Sequence, residues 1–201
     1  MTDVTEPTAE DIVEQKAVRL AKRARLLDGG EAYPVAVPIT HTISQIRADH
    51  QGLDADVTTG VTVGVAGRVV HLRNTGKLCF AAIQSGEGER LQAMVSLGEV
   101  GEESLEQWKD LVDLGDHLFV NGEVITSKRG ELSIMVSSWQ IASKALLPLP
   151  NMHSELNEET RVRQRYLDLI VREQARQTVR ARAVAVASLR STFASHGYLE
   201  V

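Results

Sequence analysis

Cysteine is nearly missing from this sequence of 201 residues: Cys79 stands alone. A single thiol can form no disulfide within the chain and cannot build a cysteine-rich zinc site. Aromatic residues are scarce, at 4%, so each one on an exposed surface invites a functional reason, base stacking among them. No apolar run approaches the roughly 18 residues of a membrane helix, and residues 1–14 lack a signal-peptide pattern. No membrane association is expected, and the default location is the cytoplasm. There is no internal repeat and no low-complexity segment. Gly86–Gly88 reads as a hairpin turn rather than a phosphate-cradling loop. The histidines (His41, His50, His71, His117, His153 and His196) include no two at zinc-ligand spacing with carboxylates, so no metal site is expected.

What is present is ordinary for a globular chain of one large or two small domains: 43% hydrophobic and 24% charged residues. The net charge of −5 argues against a nucleic-acid binder when taken as an average. Locally it hides a basic stretch, Lys16, Arg19, Lys22, Arg23 and Arg25, and a second one, Arg161, Arg163, Arg165, Arg172, Arg176, Arg180 and Arg182. An acidic body with basic patches is compatible with RNA.

After a polar tail over residues 1–9, the three-and-four spacing of Val13, Ala17, Leu20, Ala24 and Leu27 predicts a helix with that apolar face, stopped at Gly29-Gly30. Residues 39–49 suggest a further short helix. From Val61 the period changes to two. Strands are predicted over 61–72, 78–84 and 91–95, a helix over 102–114, and strands over 117–126 and 132–142. Turns fall at Asn74-Thr75-Gly76-Lys77, Ser85-Gly86-Glu87-Gly88 and Lys128-Arg129-Gly130. Three strands, a helix and two strands are the order of an OB-fold, a five-stranded barrel whose open face binds oligonucleotides. A polar linker over 151–160 leads to a long helix over 173–195 with the stripe Ala175, Val179, Ala183, Val186 and Phe193, capped at Gly197. Residues 198–201 alternate like the beginning of a strand. The expected architecture is mainly β with flanking helices (α+β). Residues 1–60 form the tail, basic helix and connector, 61–147 the barrel, 148–160 a linker, and 161–201 the opening of a further domain.

Several motifs occur in the order seen in bacterial-type class II lysine–tRNA ligases. They are Val65-Ala66-Gly67-Arg68, Gly76-Lys77-Leu78-Cys79-Phe80, Arg90-Leu91-Gln92, Gly115-Asp116, Gly130-Glu131-Leu132-Ser133 and Lys144-Ala145-Leu146-Leu147-Pro148-Leu149-Pro150. Arg163-Gln164-Arg165-Tyr166-Leu167-Asp168-Leu169-Ile170 is the strongest single match and resembles the segment that opens that family's catalytic domain. Gly197-Tyr198-Leu199-Glu200-Val201 resembles the start of class II motif 1, which implies that motifs 2 and 3 lie outside this sequence and that the chain alone is inactive.

The resemblance implies an anticodon-binding barrel for lysine tRNA. The parent enzyme would activate lysine with ATP and Mg²⁺ and form a homodimer through its catalytic region. Phe80 would stack an anticodon base, for roughly 1–3 kcal/mol. Arg73, Gln92 and Glu131 would read base edges, and Lys16, Arg19 and Arg23 would grip backbone phosphates. A carboxylate near RNA is unfavourable unless it accepts a base hydrogen bond, which makes Glu131 informative. For the arginines of residues 161–182 a structural role is preferred. The competing expectations are a non-catalytic, self-associating interaction module, a generic single-strand-binding OB protein, and a lipid-lysylating relative, whose membrane segments are missing from the sequence.

Overall fold

A computed structural model describes residues 9–30, 32–150 and 156–201. Most of the expected tail and the first half of the expected linker lie outside the described residues. The chain divides into two compact units, Met1–Leu149 and Pro150–Val201.

The first unit opens with α1 (Ala9–Gly29) and α2 (Ile43–Asp49). Thr42 sets the start of α2. Its hydroxyl accepts from the Gln45 amide while the Gln45 side chain accepts from the Thr42 amide, a capping box that leaves residues 39–42 non-helical. The strands are β1 (Thr58–Thr75), β2 (Leu78–Gln84), β3 (Arg90–Ser96), β4 (His117–Thr126) and β5 (Leu132–Ser143). Between β3 and β4 lie α3 (Leu97–Val100) and α4 (Glu102–Leu111). The strand order is β1-β2-β3-β5-β4, and β1 pairs with both β2 and β4, so the five-stranded sheet closes on itself.

A single long strand can serve both neighbours because it bends. The register of β1 against β2 slips between Val69 and His71, inserting Val70 as a bulge. Before the bulge, the odd positions Val63, Val65 and Val69 face the core. After it the parity inverts: Leu72 packs on the core, and His71 and Arg73 are exposed. Gly122 is needed where β4 crosses β5, since a Cβ there would sit 2.0 Å from the Met135 carbonyl oxygen.

The barrel is filled by Cys79, Ala81 and Ile83 from β2, Leu91, Ala93 and Val95 from β3, and Ile134 and Val136 from β5. Ile43 and Ile46 of α2, Leu105 and Trp108 of α4, and Val112 just beyond it join the same cluster. Trp108 meets Trp139 edge-on at 5.3 Å.

The predicted apolar face of α1 is not the one that docks. Val13, Ala17, Leu20, Ala24 and Leu27 are exposed, whereas Arg19 is only 7% exposed and Leu26 packs on the core cluster. The reason is electrostatic. Lys22 pairs with Asp113 at 2.7 Å and Arg25 with Asp110 at 2.6 Å, while Arg19 donates to the Leu114 and Ala145 carbonyls at 2.9 and 3.2 Å. A basic flank has found the acidic edge of α4 and the carbonyls beside it.

Beneath that edge Lys144, with no exposed side-chain surface, donates to Asp116 at 2.7 Å, to Asp113 at 2.6 Å and to the Leu111 carbonyl at 2.6 Å. Burial would raise the Asp113 carboxyl, but Lys144 and Lys22 outweigh it and hold it below its ordinary value. Asp116 is deeper, and burial pushes it up against the opposing pull of Lys144 and the Asp113 and Ala145 amides.

The second unit comprises α5 (Glu158–Arg163), α6 (Arg165–Val171) and α7 (Glu173–Ser195). Helix α5 begins inside the expected linker because Asn157 caps it, accepting from the Thr160 amide at 2.7 Å. Buried Asp168 accepts from Arg165 at 2.8 Å and from Arg172 at 2.5 Å, and Arg176 donates to the Leu169 and Ile170 carbonyls. Gly197, at φ 83°, ends α7: the Tyr198 amide reaches back to the Phe193 carbonyl and the two rings meet at 5.6 Å. Residues 198–201 are not a strand, because a strand needs a paired neighbour and no described residue pairs with them. No helix among the described residues is long and apolar enough to cross a membrane.

Candidate nucleic-acid interface

Alternation along β2 separates two roles. Cys79, Ala81 and Ile83 are buried inside, and burial pushes the Cys79 thiol up, as expected of an inert core cysteine. Leu78, Phe80 and Ala82 take the opposite face and are only half-buried. Opposed residues of adjacent strands share a face, so Phe80 has Arg73 of β1 on one side and Met94 of β3 on the other. The Arg73 guanidinium carbon lies 4.7 Å from the centre of the Phe80 ring, a cation–π contact. This pair depends on the bulge at Val70: without the parity change Arg73 would point inward.

The same outer face continues across β3. Gln92 stands opposite Ala82 on one side and Ser133 of β5 on the other, and its amide nitrogen donates to the Ser133 hydroxyl at 3.0 Å. That hydroxyl donates in turn to the Glu131 carbonyl at 2.9 Å. The Glu131 carboxylate is exposed, 3.9 Å from the Arg47 guanidinium. Arg73, Phe80 and Gln92 thus share one outward surface, with Glu131 on the loop at its β5 edge. A stacking ring with a cation on it, and an amide and a carboxylate farther along the same surface, can hold unpaired bases by their π-faces and their hydrogen-bonding edges. Met94 and Met135, paired on this face, extend its apolar part. Sequence reasoning passed over both because a methionine in a strand carries no signal of which way it points.

The basic helix divides. Arg19 is buried and both carbonyl partners occupy its Nη1, so its expected phosphate role is corrected to a docking role. Lys22 and Arg25 are ion-paired. Lys16 is exposed, and Arg23 lies 5.6 Å over the Tyr33 ring. Among the described residues no three His, Cys, Asp or Glu side chains are grouped to hold a metal ion.

Residues 63–142, almost the whole barrel, match the family model of the OB-fold nucleic acid binding domain, and residues 157–201 match that of the class II tRNA synthetases (D, K and N). Three relatives show how far the similarity runs. A lysine–tRNA ligase of Mycolicibacterium gilvum is 58% identical over 96% of this chain and 38% of its own length. One of Kineococcus radiotolerans is 56% identical over 100% of this chain and 40% of its own. One of Bordetella bronchiseptica is 41% identical over 100% of this chain and 40% of its own. The chain therefore spans well under half the length of these curated relatives. The same two modules in the same order, and identity that holds from end to end, make this chain a member of the lysine–tRNA ligase family.

Proposed function

We propose that the outer face of β1, β2, β3 and β5 binds the anticodon stem-loop of lysine tRNA. The observation that supports this best is the outward Phe80 ring with Arg73 4.7 Å above it. In this reading Phe80 stacks one anticodon base, Arg73 and Gln92 donate to base edges, and Glu131 accepts from one. Lys16 and Arg23 approach the phosphate backbone. Residues 61–147 are the anticodon-binding domain, and 161–201 open a class II catalytic domain in which α7 is the first long helix, after the short α6. The setting is the cytoplasm.

The ligase as a whole would join lysine to its tRNA using ATP and Mg²⁺. Among the described residues no three His, Cys, Asp or Glu side chains are grouped to hold a metal ion, and the anticodon reading proposed here is routed through neither group.

The test is a titration of labelled lysine tRNA and of an anticodon-swapped tRNA. Phe80→Ala should weaken the first by about ten- to a hundredfold, the loss of one stacked base, and leave the second little changed. Equal binding of both tRNAs, indifferent to Phe80→Ala, would overturn the reading.

A second reading rests on α7, where Val179, Val186, Leu189 and Phe193 are exposed along one side of the helix. Such a face suits pairing of two copies into a homodimer. A molar mass by light scattering that rises with concentration supports it, and a constant monomer mass removes it.

A further inference from the structure

The stripe Val13, Ala17, Leu20, Ala24 and Leu27 runs the length of α1, and every member of it is exposed. We infer that this stripe is a pairing surface for a second copy of the chain, the two α1 helices lying side by side and parallel. The inference goes beyond RNA binding and draws on none of the residues of the reading face.

Steps of four, three, four and three residues are those of a coiled-coil seam. Val13, Leu20 and Leu27 take one core position of the heptad, and Ala17 and Ala24 take the other. Small side chains at the alanine layers let two helix axes approach closely. Val13, Leu20 and Leu27 keep 68%, 40% and 46% of their surface exposed, and covering that surface is the gain on pairing. The seam is free to be covered. At 3.6 residues per turn it lies roughly 150° around the helix from Arg19, Lys22 and Leu26, the residues that hold α1 to the barrel. A second helix can therefore lie on it without displacing the docked face. Two heptads are short for a coiled coil, but α1 is already ordered by its docking, so pairing does not bear the cost of forming the helix.

The charges beside the seam decide which helix fits. One flank carries Lys16 and Arg23, the other Glu14, Ala21 and Asp28. In a parallel pair, the residue just before each alanine layer meets the residue five positions further along the other helix. Arg23 of each copy then meets Asp28 of the other, twice by symmetry, and Lys16 meets the neutral Ala21. In an antiparallel pair the basic flanks of both copies face each other, and so do the acidic flanks. A partner helix with acidic residues on both sides would be repelled by Glu14 and Asp28. Mixed flanks suit a parallel copy of the same helix.

The experiment traps the pair by mild oxidation of Ala17→Cys in the 201-residue chain. A parallel pair sets the two introduced thiols against each other across the seam, while Cys79 is buried and stays out of the reaction. Val18→Cys, also exposed but off the seam, measures chance collision. Ala17→Cys should cross-link at least about tenfold faster than Val18→Cys, because pairing raises the effective thiol concentration. Ala24→Cys should do the same, since in a parallel pair each layer meets itself. Leu20→Glu should remove the excess, and Leu189→Glu on α7 should leave it unchanged. In the Ala17→Cys chain, Arg23→Glu and Asp28→Arg should each slow the reaction by about three- to tenfold, as two exposed ion pairs turn repulsive. The two together should restore it, which a role in folding alone would not produce. No excess over Val18→Cys, or an excess that survives Leu20→Glu, would overturn the pairing. An excess abolished by Leu189→Glu would assign the contact to α7 instead. Cross-linking at only one of positions 17 and 24 would mean an antiparallel pair and overturn the arrangement. None of these outcomes bears on Phe80→Ala, so the RNA-binding reading stands or falls separately.

Discussion

Lys144 carries an ammonium group with no solvent around it, and its three acceptors are the Asp113 and Asp116 carboxylates and the Leu111 carbonyl. Replacing it by methionine keeps the volume and removes the charge, leaving Asp116 buried without its counter-ion. Lys144→Met should destabilise the first unit by about 3–5 kcal/mol, read as a lower urea midpoint in tryptophan fluorescence. Lys144→Met together with Asp116→Asn should recover part of that loss, because the stranded charge is gone. His117 supplies a pH dependence. Burial, and secondarily the Arg68 charge, lower its pKa, so the unfolded chain binds the proton more readily than the folded one. The stability it contributes is complete above the unfolded value of about 6.5 and is lost as pH falls from there toward the folded value. His117→Gln should flatten the decline of the urea midpoint between pH 7 and 5; an unchanged slope would remove His117 as its source. Neither role is legible in the sequence, where Lys144 only opens a family motif and His117 is one more histidine. Their roles come from residues about 30 and 50 positions away.

At the scale of elements, α1 is the informative case. Its apolar repeat gave its existence and extent, and Ala9–Gly29 agrees with the stop at Gly29-Gly30. The same repeat does not mark the face that docks. Apolar spacing predicts burial only when the opposing surface is apolar, and the surface that meets α1 carries Asp110, Asp113 and two carbonyls. The two faces should respond oppositely to substitution. Arg19→Ala strands two carbonyls and should cost about 1–3 kcal/mol, with faster tryptic cleavage within α1. Leu20→Ser should change the unfolding free energy by less than about 0.5 kcal/mol. If Leu20→Ser were the more damaging in urea titration, the assignment of faces would be wrong. The strands were more legible because β2 as far as Ile83 and β3 alternate between core and outer face, and turns at Gly76 and Gly130 mark strand ends.

For the whole molecule, the division at Leu149/Pro150 makes a simple statement about where binding lives. Arg73, Phe80, Gln92 and Glu131 all belong to the first unit. Residues 1–149 expressed alone should bind lysine tRNA within about threefold of the 201-residue chain, under 1 kcal/mol, and should keep the Phe80→Ala loss. A drop of a hundredfold or more would assign the main contacts to residues 150–201.

The sequence by itself determined the strand and helix order, the OB-type arrangement and, through its motifs, the family. These are local or linear properties: a period of two, a period near 3.6, turn glycines and ordered short matches. It also named Arg73, Phe80, Gln92 and Glu131, through resemblance rather than through geometry. Only the tertiary structure decided that Arg73 lies over Phe80, because one inserted residue at Val70 inverts the inward parity that Val63, Val65 and Val69 establish. It likewise decided that Arg19 serves docking and that Arg47 stands beside Glu131, since those outcomes depend on which distant surface each element meets. A linear pattern states which side chains share a face; only the closed sheet and its neighbours state what that face meets.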